Sequence, residues 1–512
     1  MTLRACAHMA RCRFDWQNLL RNADRFTMGL VRRMARAFFA AGIAVILAAA
    51  SRAHGQADLE RFNRQLEQIQ RETLIQADRS LSLDQRAFFD YGGYATFGYL
   101  SADDNVNDNH VLRQSELVGY ARLNLDGAHE FFLRGRWGWR DFNEGDSFDG
   151  RGDEPIDGEL DRWYYRFDLQ RYQAAYYGRK IDYNVVIKGG RDLNLWGNGL
   201  VLSTDLEGLN ATFSWGGNDL TAIAGVTPVR TVDFDSSRPA FDHNTRRGFY
   251  GAMLSRNVAN HRPYVYGLIQ RDYNEHDTLI TGPVTTKYDY DSYYLGVGST
   301  GPIGDRMLYG VEAVYEGGHG LSNSVDVTTG LAPLPQTREQ IRAFAGDARL
   351  DYLLNDARHT RFTGEVIIAS GDDDRLLSST NTFGGNKSGT KDRAFNAFGL
   401  LNTGLAFAPA VSNMLAFRLG GSTFPLPEYG ALRRMQVGSD VFLFNKLEAD
   451  APIDEPSFHQ RYLGWEPDFF LNWQVTSDLT LVFRYGIFFP SSDAFTSDES
   501  RQYIYGGVTY AF

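Results

Sequence analysis

The residues of this chain that could do chemistry are charged side chains set two positions apart within aromatic segments. Arg134, Arg136, Arg166, Arg191, Arg349, Arg418 and Arg484 fall on the face opposite the aromatic stripe, and Lys188 joins them from a segment apolar on both faces. Asp168, Glu312, Glu316, Asp347, Asp351, Glu365, Glu466 and Asp468 share that face. A period of two places side chains on one side of a strand. The chemistry this offers is recognition, because guanidinium is a permanently charged, planar fork that grips carboxylates two bonds at a time. Eight cations against eight carboxylates do not make a strong anion filter. Two readings stay open for each arginine: a weak site for a passing anion, or a rung of a charge ladder that holds a wide barrel open. Asp347, Arg349 and Asp351 alternate like such a ladder.

Motifs for catalysis are missing. Gly-x-Ser-x-Gly, His-Glu-x-x-His and the phosphate-binding loop do not occur. Gly296, Gly298 and Gly301 form a Gly-x-Gly-x-x-Gly, but Pro302-Ile303-Gly304 comes where a helix should begin, so a hairpin turn is expected. After residue 300 the histidines are His319, His359 and His459, without metal spacing. The acidic runs Glu144–Asp157 and Asp372-Asp373-Asp374 lack the spaced ligands of a calcium loop and read as solvated loops. No enzyme, cofactor or metal site is expected.

The elements that must position these charges are strands. Phe131, Leu133, Trp137 and Trp139 alternate with Phe132, Arg134, Arg136 and Arg140, and Leu479, Leu481, Phe483, Tyr485 and Ile487 alternate with Thr480, Val482, Arg484, Gly486 and Phe488. The apolar faces are aromatic at their ends and the segments run about ten residues, the length a tilted strand needs to cross hydrocarbon. Aromatics reach 14% while mean hydropathy is negative, which suits a sheet greasy on one face and wet on the other. No run of 18 uncharged apolar residues exists, which excludes a helical membrane protein. Eighteen segments fit, among them 395–408 and 411–422 joined tightly at Pro409-Ala410, with 143–159, 229–246, 371–394 and 423–464 as long loops. The expected fold is all-β: a transmembrane antiparallel up-and-down barrel of about 18 strands with a short N-terminal helix.

Arg32, Arg33 and Arg36 precede the apolar run Ala37–Ala50, and Ala53-His54-Gly55 comes next with small residues. This predicts a signal peptide over 1–55. Asp58–Ala77 has Leu59, Phe62, Leu66, Ile69 and Thr73 at helical spacing, so 56–88 is expected to be a periplasmic helical segment and 89–512 the barrel. Both cysteines, Cys6 and Cys12, lie in the leader, as do nine basic but only two acidic residues. The chain beyond residue 55 is strongly acidic, which speaks against nucleic acid as partner. The ending Tyr510-Ala511-Phe512, with Ile504 and Val508 upstream, resembles an outer-membrane insertion signal.

Several segments resemble the bacterial alginate export family of outer-membrane porins. They are Gly464-Trp465-Glu466-Pro467-Asp468 with Gly486-Ile487-Phe488-Phe489-Pro490; Gly190-Arg191-Asp192 with Trp196 and Asp205-Leu206-Glu207-Gly208-Leu209; and Ala369–Asp374 with Thr382-Phe383. The third position of Gly190-Arg191-Asp192 departs from the family's Gln, and 423–464 does not align. The resemblance covers about 90–512 and implies a barrel of the same size in the outer membrane. It also implies passive diffusion of an anionic polysaccharide such as alginate, with lipopolysaccharide and periplasmic export components as partners. Two alternatives remain open: a general or uptake porin for small anionic solutes, and a plugged structural or adhesive barrel.

Overall fold

A computed structural model describes residues 86–147, 150–326 and 332–512. The signal peptide and the helix expected at 58–77 lie outside the described residues. The barrel strands are β1 Ala87–Asp103, β2 Asn109–Leu125, β3 His129–Phe142, β4 Glu154–Asp168, β5 Tyr183–Leu195, β6 Ser203–Trp215, β7 Asn218–Val226, β8 Arg247–Arg256, β9 Arg262–Asp272, β10 Tyr290–Ile303, β11 Met307–Leu321, β12 Arg338–Leu353, β13 Arg361–Ala369, β14 Met414–Thr423, β15 Met435–Asn445, β16 Tyr462–Gln474, β17 Leu479–Pro490 and β18 Arg501–Ala511. Each pairs antiparallel with its neighbours in sequence.

β1 also pairs β18, with Tyr94 opposite Ala511 and Ala102 opposite Tyr503, so the 18-stranded sheet is closed. Closure leaves no sheet edge, the condition for β-structure in a bilayer. The terminal Phe512 exchanges backbone hydrogen bonds with Gly93 at 2.9 and 3.0 Å.

Alternation decides which way each side chain points. Phe131, Leu133, Trp137, Trp163, Leu295, Phe344, Leu419, Phe469 and Phe483 are exposed, and their strand neighbours are buried or half-buried. An apolar outer belt over a charged interior reverses the soluble pattern and marks a lipid-facing wall. Connections also alternate. Residues 126–128, 216–217, 304–306 and 475–478 are short turns at one end. At the other end 227–246, 273–289, 370–413 and 446–461 are long, as on the extracellular side of such barrels.

The expected count of strands is met by two compensating errors. Segment 395–408 is not a barrel strand; it lies inside the long connection between β13 and β14, and Pro409-Ala410 is not a strand turn. The missing strand, β15, lies within 423–464, and β4 begins inside the loop expected at 143–159. The one described helix, α1 (Leu169–Tyr177), joins β4 to β5 at the short-turn end. Asp168 caps its start by accepting from the Arg171 N–H at 3.1 Å, and Gly178, at φ 61°, ends it.

Candidate solute path

The inner face of β2 to β5 carries a continuous set of cations. On β3, Arg134 meets Asp161 through paired N–H donors at 2.6 and 2.9 Å, and Arg136 meets Glu159 at 2.8 Å. A bulge between β3 and β4 turns Asp161 inward to receive Arg134. On β4, Arg162 lies 3.3 Å from Asp192, and Arg166 lies 3.6 Å from Asp168. On β5, Lys188 pairs with Asp192 and sits 3.9 Å above the ring of Tyr164. Gly190 permits this: at φ 140° it approaches β4 so closely that a Cβ would lie 2.2 Å from the Trp163 carbonyl oxygen.

These cations differ in access. The side chains of Arg136, Lys188 and Arg166 are 29%, 26% and 22% exposed on an inward face, so they meet lumen water; Arg134 is buried. A guanidinium has five N–H donors and its carboxylate occupies only some of them, so the accessible ones keep donors for a passing anion. Arg122 and Arg140 extend the set along β2 and β3, and Arg230 adds a cation from the 227–246 loop, 3.4 Å from Glu159.

Two connections fold into the lumen beside this wall. Residues 196–202, between β5 and β6, reach the opposite side. There Glu312 of β11 accepts from the Asn198 N–H, and Asp347 of β12 accepts from the Asn198 side-chain amide at 3.1 Å. Segment 394–408, from the β13–β14 connection, lies against them: Ser203 N–H donates to Phe398 O at 2.8 Å, and Leu400 N–H to Gly199 O at 2.9 Å. Carboxylates fix the segment at both ends. Glu316 accepts from Asn396 N–H at 2.9 Å, and Glu466 from the N–H groups of Leu405, Ala406 and Phe407 at 2.5, 2.7 and 2.8 Å.

Apolar packing holds the same segments. Trp196, Leu200, Val201, Leu202, Phe395 and Phe398 are buried against the inner wall of β6 to β13, and Ala406 and Phe407 against β13 to β18 with β1 and β2. Phe407 stacks on Phe488 with centroids 4.3 Å apart. By contrast, β3 and β4 contribute Phe132 and Tyr164, with Tyr120 beside them, to a small separate cluster, and Phe142 at the end of β3 to the edge of the second one. The loops therefore pack against the wall from β6 round to β2 and leave Arg136, Arg166 and Lys188 partly exposed on the inward face. Above them, Asp454 of the 446–461 loop accepts from Ser378, Ser379 and Thr380, while Asp235 of the 227–246 loop accepts from Thr382.

The residues singled out in sequence divide accordingly. Arg134, Arg136, Arg166, Arg349, Arg418 and Arg484 point inward, as their alternation places them, and Lys188 of β5 points inward opposite Arg166. Arg191 does not. It pairs across β4 with the exposed Trp163 and bonds the outward Glu207 through Nε at 2.8 Å, so it belongs to the outer face. The apolar segment around it offered no stripe from which to read its side. Arg349 pairs with Asp351 at 3.2 Å, the expected ladder rung, and Arg418 bridges Glu365 at 2.7 Å and Asp440 at 2.9 Å. Arg484 bonds Asn472 and lies over Phe470. Glu466 is fully buried and Asp468 nearly so, so neither is an open wall of the lumen. Sequence reading missed Arg162, although it shares the parity of Arg166, and Arg230, whose loop position carries no periodicity. The carboxylates of Asp372, Asp373 and Asp374 do come together, within 4.8 Å of one another.

A closed barrel with an apolar outer belt, a charged interior and alternating short turns and long loops defines a transmembrane β-barrel of the bacterial outer membrane. No protein-family model and no curated protein matches the chain. Among solved structures it is similar to three from Pseudomonas aeruginosa. OpdO is 11% identical with a TM-score of 0.49, over 84% of this chain and 99% of that one. OccK11 (OpdR) is 12% identical with a TM-score of 0.48, over 83% and 96%. The outer membrane protein OpdK is 9% identical with a TM-score of 0.45, over 83% and 99%.

Proposed function

We propose that this barrel is a passive, diffusive pore for small anionic solutes, narrowed by its own connections. The observation that carries this reading is the crossing of the lumen by segment 394–408, held at Glu316 and Glu466 and packed on residues 196–202. What remains is a passage beside β2 to β5, where Arg136, Arg166 and Lys188 present N–H donors to water. Each would hold an anion weakly, favourable enough to enter and weak enough to leave. No reaction is assigned to the chain.

Swelling of proteoliposomes in isotonic solutes of graded size tests it. Small mono- and dicarboxylates should enter faster than neutral sugars of equal size, and oligouronates should be excluded. Equal rates for charged and neutral solutes would refute the anionic preference.

A second reading, passage of an anionic polysaccharide such as alginate, is favoured by the resemblance of Gly464–Asp468 and Gly486–Pro490 to the alginate export family. It requires segment 394–408 to leave its site, because a hydrated polymer strand needs the lumen that this segment fills.

A further inference from the structure

The outer wall carries a second group of cations that the pore does not use. Arg338 on β12 and Arg271 on β9 both reach the same carboxylate oxygen of Asp291 on β10, at 3.1 and 3.2 Å. Arg338 spans β11 to do so, over Gly317-Gly318-His319-Gly320, where His319, opposite Asp291, is the one exposed side chain. One carboxylate thus gathers two guanidiniums, each about half exposed and with donors left over. Arg342, outward on β12 two pleats below Arg338, is exposed and forms no ion pair among the described residues. Asp289, 3.8 Å from Arg338, is the second acid of the group, so the cations are in excess.

The position of the group is as informative as its charge. Tyr293, Ile269 and Phe344 of the apolar belt lie one or two pleats below these arginines, which stand next to the long-loop end. That is the level of the outer-leaflet headgroups. Along β14 to β18 the outward positions of the strands carry no Lys or Arg; Arg418, Arg484 and Arg501 there all point inward. Outward arginines elsewhere on the wall, such as Arg113 on β2 and Arg191 on β5, each pair with one acid, Asp141 and Glu207.

We infer that Arg271, Arg338 and Arg342 form a binding site for the phosphate groups of the outer-leaflet glycolipid, whose acyl chains would lie on the belt below. Forked guanidiniums brought together by one acid match the geometry and charge of a phosphate monoester, and an apolar surface directly beneath selects a ligand that is phosphate above and hydrocarbon below.

Native mass spectrometry of the full chain in detergent, titrated with bisphosphorylated lipid A, tests this. The unmodified protein should retain lipid A, and the Arg271→Ala/Arg338→Ala/Arg342→Ala variant should bind it at least about tenfold more weakly. Dephosphorylated lipid A should bind both proteins equally poorly. Single-channel conductance should be unchanged in the variant, which reports an intact barrel and separates this site from the pore. Equal retention of lipid A by the two proteins would overturn the inference. So would displacement of lipid A by millimolar inorganic phosphate, which would make the group a site for free anions.

Discussion

The Glu466 carboxylate on β16 accepts the backbone N–H of Ala406 at 2.7 Å, joining the barrel wall to a segment sixty residues earlier in the chain. The same carboxylate takes the N–H groups of Leu405 and Phe407, so three donors that would otherwise be buried without partners converge on one side chain. Gly404, at φ 93°, turns the segment toward it, and a Cβ there would come within 2.8 Å of Glu466 Oε1. Glu466 therefore holds the inward segment.

Replacing Glu466 by Ala should free the segment. Hydrogen bonds to a charged group contribute about 1.5–3 kcal/mol each, and a buried donor left unpaired costs about as much again. The barrel should still fold, because its ladder is untouched, and single-channel conductance should rise with larger current noise. Unchanged conductance in Glu466→Ala would mean that Phe407 stacking on Phe488 suffices to hold the segment.

The cationic wall sets a second expectation. Arg136→Gln and Lys188→Gln each remove an accessible inward cation and leave Glu159 with Arg230 alone, or Asp192 with Arg162 alone, as its cationic partner. Anion-over-cation permeability, read as the reversal potential in a salt gradient, should fall in each and fall further in the double variant. The effect should shrink at high salt, where the Debye length drops to about 3 Å.

Arg191 provides the contrast. Its side chain is on the outer face with Glu207, so Arg191→Ala should leave reversal potential and conductance as they are. A shift comparable to that of Arg136→Gln would contradict the assigned face.

A pH dependence resides in the 446–461 loop. Burial pushes the Lys446 ammonium down to about 8, although it donates to Phe458 O at 2.9 Å. Below that value the folded protein carries a desolvated charge. Above it the folded side chain is neutral, while the unfolded one stays protonated up to its ordinary range near 10.5. Stability should thus increase as pH rises through about 8. Thermal unfolding followed by heat-modified gel migration between pH 7 and 9.5 should show this rise, and Lys446→Met should abolish it.

The barrel was legible in the sequence because alternation reports sidedness directly, and a wall between lipid and water is the most strongly sided sheet a chain can make. The same signal misled at 395–408. Phe395, Phe398, Ala406 and Phe407 are apolar because they pack on the inner wall, and the segment's N–H groups bond Glu316 and Glu466 instead of a neighbouring strand. Periodicity cannot tell a strand of the wall from a segment lying on it. In β15 the inward Gly438 and Asp440 and the loops around the strand diluted the pattern. Arg418 and Glu365 were legible as inward charges, but the capture of Glu466 by backbone N–H groups was not, because the main chain leaves no trace in the residue pattern.

The most direct test of a loop-narrowed pore for small anions is single-channel recording of the unmodified protein in planar bilayers, with a polyuronate added to either side. A pore narrowed in this way should show a small, anion-selective conductance that submillimolar polymer leaves unblocked, because segment 394–408 keeps the polymer out. A large conductance blocked by the polymer, with block events that lengthen with polymer length, would contradict it and establish the polysaccharide as the solute.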